Sequence, residues 1–206
     1  LSVDPLAEKY PSTSAYMYCA GNPVMLVDPD GRRPDNYTSN NDGTVTKTKT
    51  TEKTDNFYVT KSDGTIELVA GNVPKIVVAG KTAGTTITMV EFPKSTKYTN
   101  LSSESKYIIP EMAAALFGAA EKYNNETNDK FHFTQLNAAN GSHSYSTAAG
   151  KKTLGTGFCF DMRFASIDNK STTTGSSNYN KSNSEIIAAS LFYFGIETLG
   201  ASVKNL

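Results

Sequence analysis

The residues best suited to chemistry lie in one stretch of the C-terminal half of the chain. His143 stands in a loop rich in glycine, serine and alanine, and Asp161 and Arg163 follow within the stretch Gly157–Ala165. Imidazole nitrogens and carboxylate oxygens are ligands that zinc accepts in proteins. A guanidinium group can hold a carboxylate through two parallel hydrogen bonds. We therefore take His143 and Asp161 as candidate metal ligands and Arg163 as a candidate catalytic residue that binds substrate.

The stretch Gly157–Ala165 has the alternation of a β-strand, which places Asp161 and Arg163 together on its polar face. The residues expected on the opposite, core-facing side are Phe158, Phe160, Met162 and Phe164. Two alternatives stay open from the sequence. Asp161 could form an ion pair with Arg163, and His143 could be an exposed loop histidine.

The remaining reactive side chains have weaker patterns. His132 alternates with Phe131 and Phe133, which is more typical of a surface or core histidine than of a metal ligand. Cys159 has no evident base beside it, so we expect a small buried side chain rather than a nucleophile.

The surrounding elements predict an α+β domain with two helices packed on a small antiparallel sheet. Pro110 suits the first turn of a helix that should end near Asn124 or Asn125. A strand is expected at 131–136, and the capping-box pattern Ser182-x-x-Glu185 predicts the start of a second helix. That helix should end near Gly200.

A β-rich connector is expected before this domain, at residues 37–105. Asn41-Asp42-Gly43 and Ser62-Asp63-Gly64 are hairpin-turn sequences between stretches of alternating character. The polar stretch 44–50 is typical of an edge strand. The simplest interpretation is a spacer, and the alternative is a module that binds a glycan or a partner.

The composition excludes some functions. The chain has 206 residues, with 20 basic and 20 acidic side chains and a formal net charge of zero. This balance argues against general binding to nucleic acid, and no apolar run is long enough to span a membrane. The many serine, threonine and asparagine residues favour an exported protein.

The first 36 residues contain the most specific sequence motifs of the chain. The segments concerned are Ser2–Pro11, Tyr16–Val24 and Val27–Arg32. They resemble the closing segment of the Rhs/YD-repeat core, a β-shell that is followed in that family by a variable C-terminal domain, frequently a toxin used against competing bacteria. The resemblance implies a secreted or cell-surface location within a larger exported protein, and an immunity protein as a partner. Arg32 stands where self-cleaving members carry leucine. Outside its shell, segment 1–36 should be partly disordered or lie as an extended arm on the domain that follows.

A second resemblance covers roughly Ile109–Leu206. Ser142-His143 followed by the run from Gly157 to Arg163 resembles the zinc D-alanyl-D-alanine peptidases and murein endopeptidases. It implies that His143 and Asp161 bind zinc, that a zinc-bound water attacks a cell-wall peptide, and that Arg163 anchors the substrate. Two features depart from the family: the gap between His143 and Asp161 is longer, and no histidine follows the second helix.

The sequence thus predicts three regions: the end of an Rhs core at 1–36, a connector at 37–105 and a peptidase-like effector domain at 106–206. Two alternatives remain for the function. One is a non-catalytic module that binds a wall component, a surface partner or an immunity protein. The other is a toxin of different chemistry, such as a nuclease that uses His143 and Arg163 on phosphate.

Overall fold

A computed structural model of the chain describes residues 35–50, 54–79, 86–101, 106–140, 143–144, 152–153, 160–170 and 172–196. These residues belong to one compact unit. The expected N-terminal arm and the cleavage-like sequence near Arg32 lie outside the described residues, except for the last two residues of the arm. No helix in the described ranges is long and apolar enough to cross a membrane.

The described elements confirm a mixed α+β fold. The first eight strands are β1 (Asp35–Ser39), β2 (Val45–Lys49), β3 (Asp55–Thr60), β4 (Ile66–Val73), β5 (Lys75–Ala79), β6 (Thr86–Glu91), β7 (Thr99–Leu101) and β8 (Tyr107–Ile108). Then come α1 (Pro110–Thr127), β9 (Phe131–Gln135), β10 (His143–Ser144), β11 (Lys152–Thr153), β12 (Asp161–Met162) and α2 (Lys181–Tyr193).

The first sheet has the strand order β2-β1-β3-β4. Strand β2 lies at its edge with mostly exposed residues, as its polar sequence predicts. The two outer pairs are antiparallel hairpins, whereas β1 and β3 run parallel. After β2 the chain therefore crosses to the far side of β1, where β3 pairs with β1 in parallel. Local sequence patterns do not reveal this pairing.

The hairpin turns form as their sequences predict. At Asn41–Gly43, the Asp42 carboxylate accepts hydrogen bonds from the Thr44 backbone N–H at 3.0 Å and from its hydroxyl at 2.6 Å. Gly43 has a φ of +84°, which glycine adopts without a steric penalty. The turn at Ser62–Gly64 repeats the arrangement. Each turn thereby sets the register of its hairpin.

The other sheets are small. One is antiparallel, in the order β5-β6-β8, and a second has the order β12-β9-β7. In the second, β7 and β9 are parallel because the connection between them includes α1, the kind of crossover that a parallel pair requires. Strands β10 and β11 form a separate antiparallel pair.

Helix α1 begins at Pro110, as predicted, and ends at Thr127, two residues beyond the expected range. Asn128 closes it in the left-handed conformation and donates its N–H to the Asn124 carbonyl at 2.7 Å. The helix is buried on almost every side, unlike a surface helix with one apolar stripe. Its core neighbours come from the stretch expected as a connector and from the stretch expected as an effector domain. The division of the chain into regions 1–36, 37–105 and 106–206 therefore stays a prediction.

Helix α2 differs from its prediction at both ends. Its cap is Asn180, whose side chain accepts the Asn183 N–H at 3.0 Å, so the helix begins before the expected cap at Ser182. The helix ends at Tyr193, and Gly195 follows with a φ of +74°. The expected stop at Gly200 lies outside the described residues. An asparagine cap and an earlier glycine therefore replace the expected signals.

A buried ion-pair network joins the first sheet to β5. Asp55 is fully buried and its Oδ1 lies 3.1 Å from the Lys75 Nζ. The same oxygen accepts the Asp35 backbone N–H at 2.8 Å. Lys47 lies 3.0 Å from the Asp35 carboxylate. Burial raises the pKa of Asp55 although Lys75 opposes the shift. The network therefore fixes the relative position of strands more than it adds stability.

We predict that Lys75→Met lowers the free energy of unfolding by about 3 kcal/mol, because it leaves the buried Asp55 carboxylate without its cation. The control is Lys170→Met, which removes an 80% exposed ammonium 3.9 Å from Asp168 and should change stability by less than about 0.5 kcal/mol. Urea unfolding of both variants provides the measurement. Equal effects would contradict a special role for the buried pair.

Candidate functional site

The backbone of His143 lies in a short hairpin. Strand β10 pairs antiparallel with β11, and His143 faces Thr153 across the pair. The long gap between His143 and Asp161, where the resemblance to zinc peptidases implies an insertion, thus contains regular structure. The side chain of His143 lies outside what the structure describes.

Asp161 lies on β12, where it pairs with Gln135 of β9 and is half-buried. The register shifts between Asp161 and Met162. Such an irregularity re-aims the side chains that follow it. Phe160 and Met162 pack against the core, as the alternation predicts.

The alternation does not hold through the end of the stretch. Phe164 is 39% exposed and lies edge-on to Tyr179, so its predicted core position is wrong. The register shift within β12 and the end of that strand at Met162 explain the difference. Gly157–Cys159 lie outside the described residues.

Arg163 leaves β12 beside His132. Its backbone N–H donates to the His132 carbonyl at 2.9 Å, and both side chains line one small cavity. Asp129 and the two lysines Lys130 and Lys170 line the same cavity. The structure therefore brings the predicted Arg163 together with a histidine that the sequence pattern had assigned to a surface or core position.

His132 is held as a neutral imidazole. Its Nε2 is buried, has no hydrogen-bond partner in the described part of the chain, and lies 3.9 Å from the Asp129 Oδ1, beyond hydrogen-bond distance. Burial lowers the pKa of His132; the Asp129 carboxylate opposes this shift, and Arg163 adds to it. At neutral pH the ring can therefore donate or accept one hydrogen bond to a ligand without carrying charge.

Asp129 is fixed by the end of α1. Its Oδ2 accepts the Tyr123 hydroxyl at 3.1 Å, and its Oδ1 accepts the Lys130 backbone N–H at 2.8 Å. Burial and the neighbouring carboxylate raise the pKa of Tyr123 to about 12, so this hydroxyl keeps its proton and donates it. These hydrogen bonds hold the Asp129 carboxylate in a fixed position beside His132.

The cavity measures about 10 Å³, room for about one water molecule, and the charges around it are mainly positive. Arg163, Lys130 and Lys170 oppose the single carboxylate of Asp129. The Lys130 ammonium donates to the Thr96 carbonyl at 3.2 Å and the Lys170 ammonium lies 3.9 Å from Asp168. Arg163 forms no ion pair with any described residue, which leaves its guanidinium able to bind a carboxylate.

Of the expected zinc site, the structure describes the side chain of Asp161 but not that of His143. Imidazole of His143 and carboxylate of Asp161 are the right donor types for zinc. Within the described ranges, no three side chains of the histidine, cysteine, aspartate and glutamate types lie close enough to hold an ion. A third protein ligand is therefore not identified among them.

Comparison of the chain with protein-family models, with curated proteins and with solved structures found no match.

We predict that the stability of the fold depends on the protonation of His132. Because its folded-state pKa lies below the usual value, the unfolded chain binds the proton first as pH falls. The free energy of unfolding should therefore decrease from roughly pH 6.5 down through the lower folded-state pKa. His132→Gln should flatten this part of the profile, measured by urea unfolding between roughly pH 7 and pH 5. An unchanged slope in the variant would contradict the buried, neutral histidine.

Proposed function

We propose that the chain is the C-terminal effector region of an Rhs-type protein, and that residues 106–206 act on cell-wall peptides in the manner of a zinc peptidase. The observation that supports this proposal is that Arg163 and His132 lie side by side at the end of the strand that carries Asp161. The resemblance of segment 1–36 to the end of an Rhs core supports the effector role. The helix α1 and the strand β9 before the stretch, and the helix α2 after it, support the resemblance to the peptidase families, which implies this order.

The proposed roles follow from the chemistry of each side chain. His143 and Asp161 would hold the metal, which supplies a polarised water when it is bound. Arg163 binds a carboxylate of the peptide substrate through paired hydrogen bonds. The neutral His132 ring lies beside it and offers one further hydrogen bond to the substrate.

The proposed cellular setting is export within a larger protein that acts at the surface of a competing cell. A peptide of the cell wall is then the substrate, zinc the cofactor and an immunity protein the binding partner. These proposals rest on the two resemblances and on the excess of basic side chains around the Arg163 cavity.

One observation favours a second candidate, a non-catalytic interaction module. Ile66 and Leu68 on β4 and Val77 on β5 are large apolar side chains that remain about half exposed. Both strands lie at sheet edges. Exposed apolar edges are surfaces that can pair with a partner strand.

Hydrolysis of purified cross-linked muropeptides tests the proposed peptidase. Arg163→Ala should lower kcat/KM by about 10- to 100-fold, mainly through KM, because it removes charged hydrogen bonds to the substrate. Asp161→Ala should abolish hydrolysis. The control Lys181→Ala removes a 78% exposed cation of α2 and should leave the rate unchanged. Absence of hydrolysis by the unaltered chain with zinc supplied would contradict the peptidase and favour the interaction module.

A further inference from the structure

A second cavity, of about 350 Å³, lies where the hairpin turns of the first sheet meet the ends of α1 and α2. Its size is in the range of cavities that bind small molecules. It shares no lining residue with the Arg163 cavity. Neither the sequence patterns nor the proposed peptidase chemistry assigns it a role.

A buried carboxylate lies in the wall of this cavity. Glu121 is 6% exposed, and its Oε1 accepts a hydrogen bond from the Asn125 side-chain amide at 2.7 Å. The other carboxyl oxygen has no hydrogen-bond partner among the described residues. Burial raises the pKa of Glu121. An acid kept in such a position is suited to bind a hydroxyl or N–H group of a ligand.

The other polar groups of the wall include amides and hydroxyls, which offer both donors and acceptors. The Asn41 amide nitrogen donates to the Lys61 carbonyl, and that of Asn125 donates to Glu121. Their side-chain amide oxygens accept no hydrogen bond from described residues. The hydroxyls of Thr60 and Ser62 line the cavity beside them. A ligand whose groups both donate and accept hydrogen bonds, as hydroxyl groups do, therefore complements this wall.

An aromatic ring completes the cavity. Tyr193 is 47% exposed, and its hydroxyl donates to the Asn41 carbonyl at 2.7 Å, which holds the ring in place. An exposed ring beside amide, hydroxyl and carboxyl groups offers an apolar platform next to polar contacts. Because the ring is already fixed, little conformational entropy is lost when a ligand covers it.

The charges favour a neutral ligand over a cation. The Lys122 ammonium lies 2.9 Å from the Glu126 carboxylate and 5.2 Å from the centre of the Tyr193 ring. A cationic ligand at this ring would meet the like charge of Lys122, whereas a neutral ligand meets no such repulsion at the exposed part of the ring. Among the described charged residues that line the cavity, Glu121 is the one without a cationic partner within hydrogen-bond distance, and burial raises its pKa.

We propose that this cavity binds a saccharide unit of a surface glycan. A pyranose ring supplies several hydroxyl donors for the acceptors of the wall and an apolar C–H face for Tyr193. The site goes beyond the proposed peptidase function and does not depend on zinc, because its binding groups are separate from His143, Asp161 and Arg163. It would bring the chain to a glycan-bearing surface.

Isothermal titration calorimetry of the full chain with tri-N-acetylchitotriose and with cellotriose tests the proposal. Binding of at least one trisaccharide is expected, and Glu121→Gln and Tyr193→Ala should each weaken it by about 10-fold or more. The matched controls are Glu185→Gln and Phe192→Ala, an exposed acid and an exposed ring of α2 that do not line the cavity. They should change affinity by less than about twofold. Circular dichroism confirms that each variant is folded.

Three results would overturn the saccharide site. The unaltered chain could fail to bind either trisaccharide at millimolar concentration, or the control variants could weaken binding as much as the cavity variants. Binding of spermidine that depends on Glu121, in place of saccharide, would assign the cavity to cations instead. The Asp161→Ala variant should bind saccharide normally, so failure of the peptidase proposal is distinguishable from failure of this one.

Discussion

The fold depends on the close packing of α1, which is buried by the first sheet, by β6 and by α2. Phe117 stacks on Phe92 with ring centres 4.9 Å apart and lies 6.0 Å from Phe57. Gly118 permits the closest approach, since a Cβ atom there would lie 2.3 Å from the Phe194 ring and 2.7 Å from the Ser39 side chain. Small residues along the helix make this approach possible, and the aromatic rings fill the space around them.

The same helix positions both candidate sites. Its last turns place Glu121 in the wall of the larger cavity and Tyr123 against Asp129 at the Arg163 cavity. A buried helix has fixed rotamers and few free motions, so groups attached to it are held in defined positions. The two sites therefore share one rigid element although they share no lining residue.

Local signals in the sequence predicted local structure well. Pro110 marked the start of α1, and the glycines at 43 and 64 marked the hairpin turns, because each of these residues restricts or frees its own backbone. Pairing between distant segments was not predictable in this way. The parallel pairs β1–β3 and β7–β9 depend on which surfaces α1 covers, and no short pattern encodes that.

The candidate site shows the same division. Alternation placed His132 on the polar side of its strand, and Arg163 on the polar side of another, but nothing in either segment shows that β9 and β12 are neighbours. Antiparallel pairing of these strands brings the two residues into one cavity. The available signal was that His132 and Arg163 each lie on the polar face of a strand whose opposite face is aromatic. Phe164 was misassigned because the register shift within β12 is a tertiary feature.

The most direct test of the central functional claim is the zinc content of the purified chain, measured by elemental analysis beside a His143→Ala variant. The account predicts near-stoichiometric zinc in the unaltered chain and its loss in the variant, with the fold unchanged by circular dichroism. Such a result would mean that a third ligand completes the site of His143 and Asp161. A chain without zinc after dialysis against the metal would contradict the peptidase account and leave the interaction module as the explanation of this region.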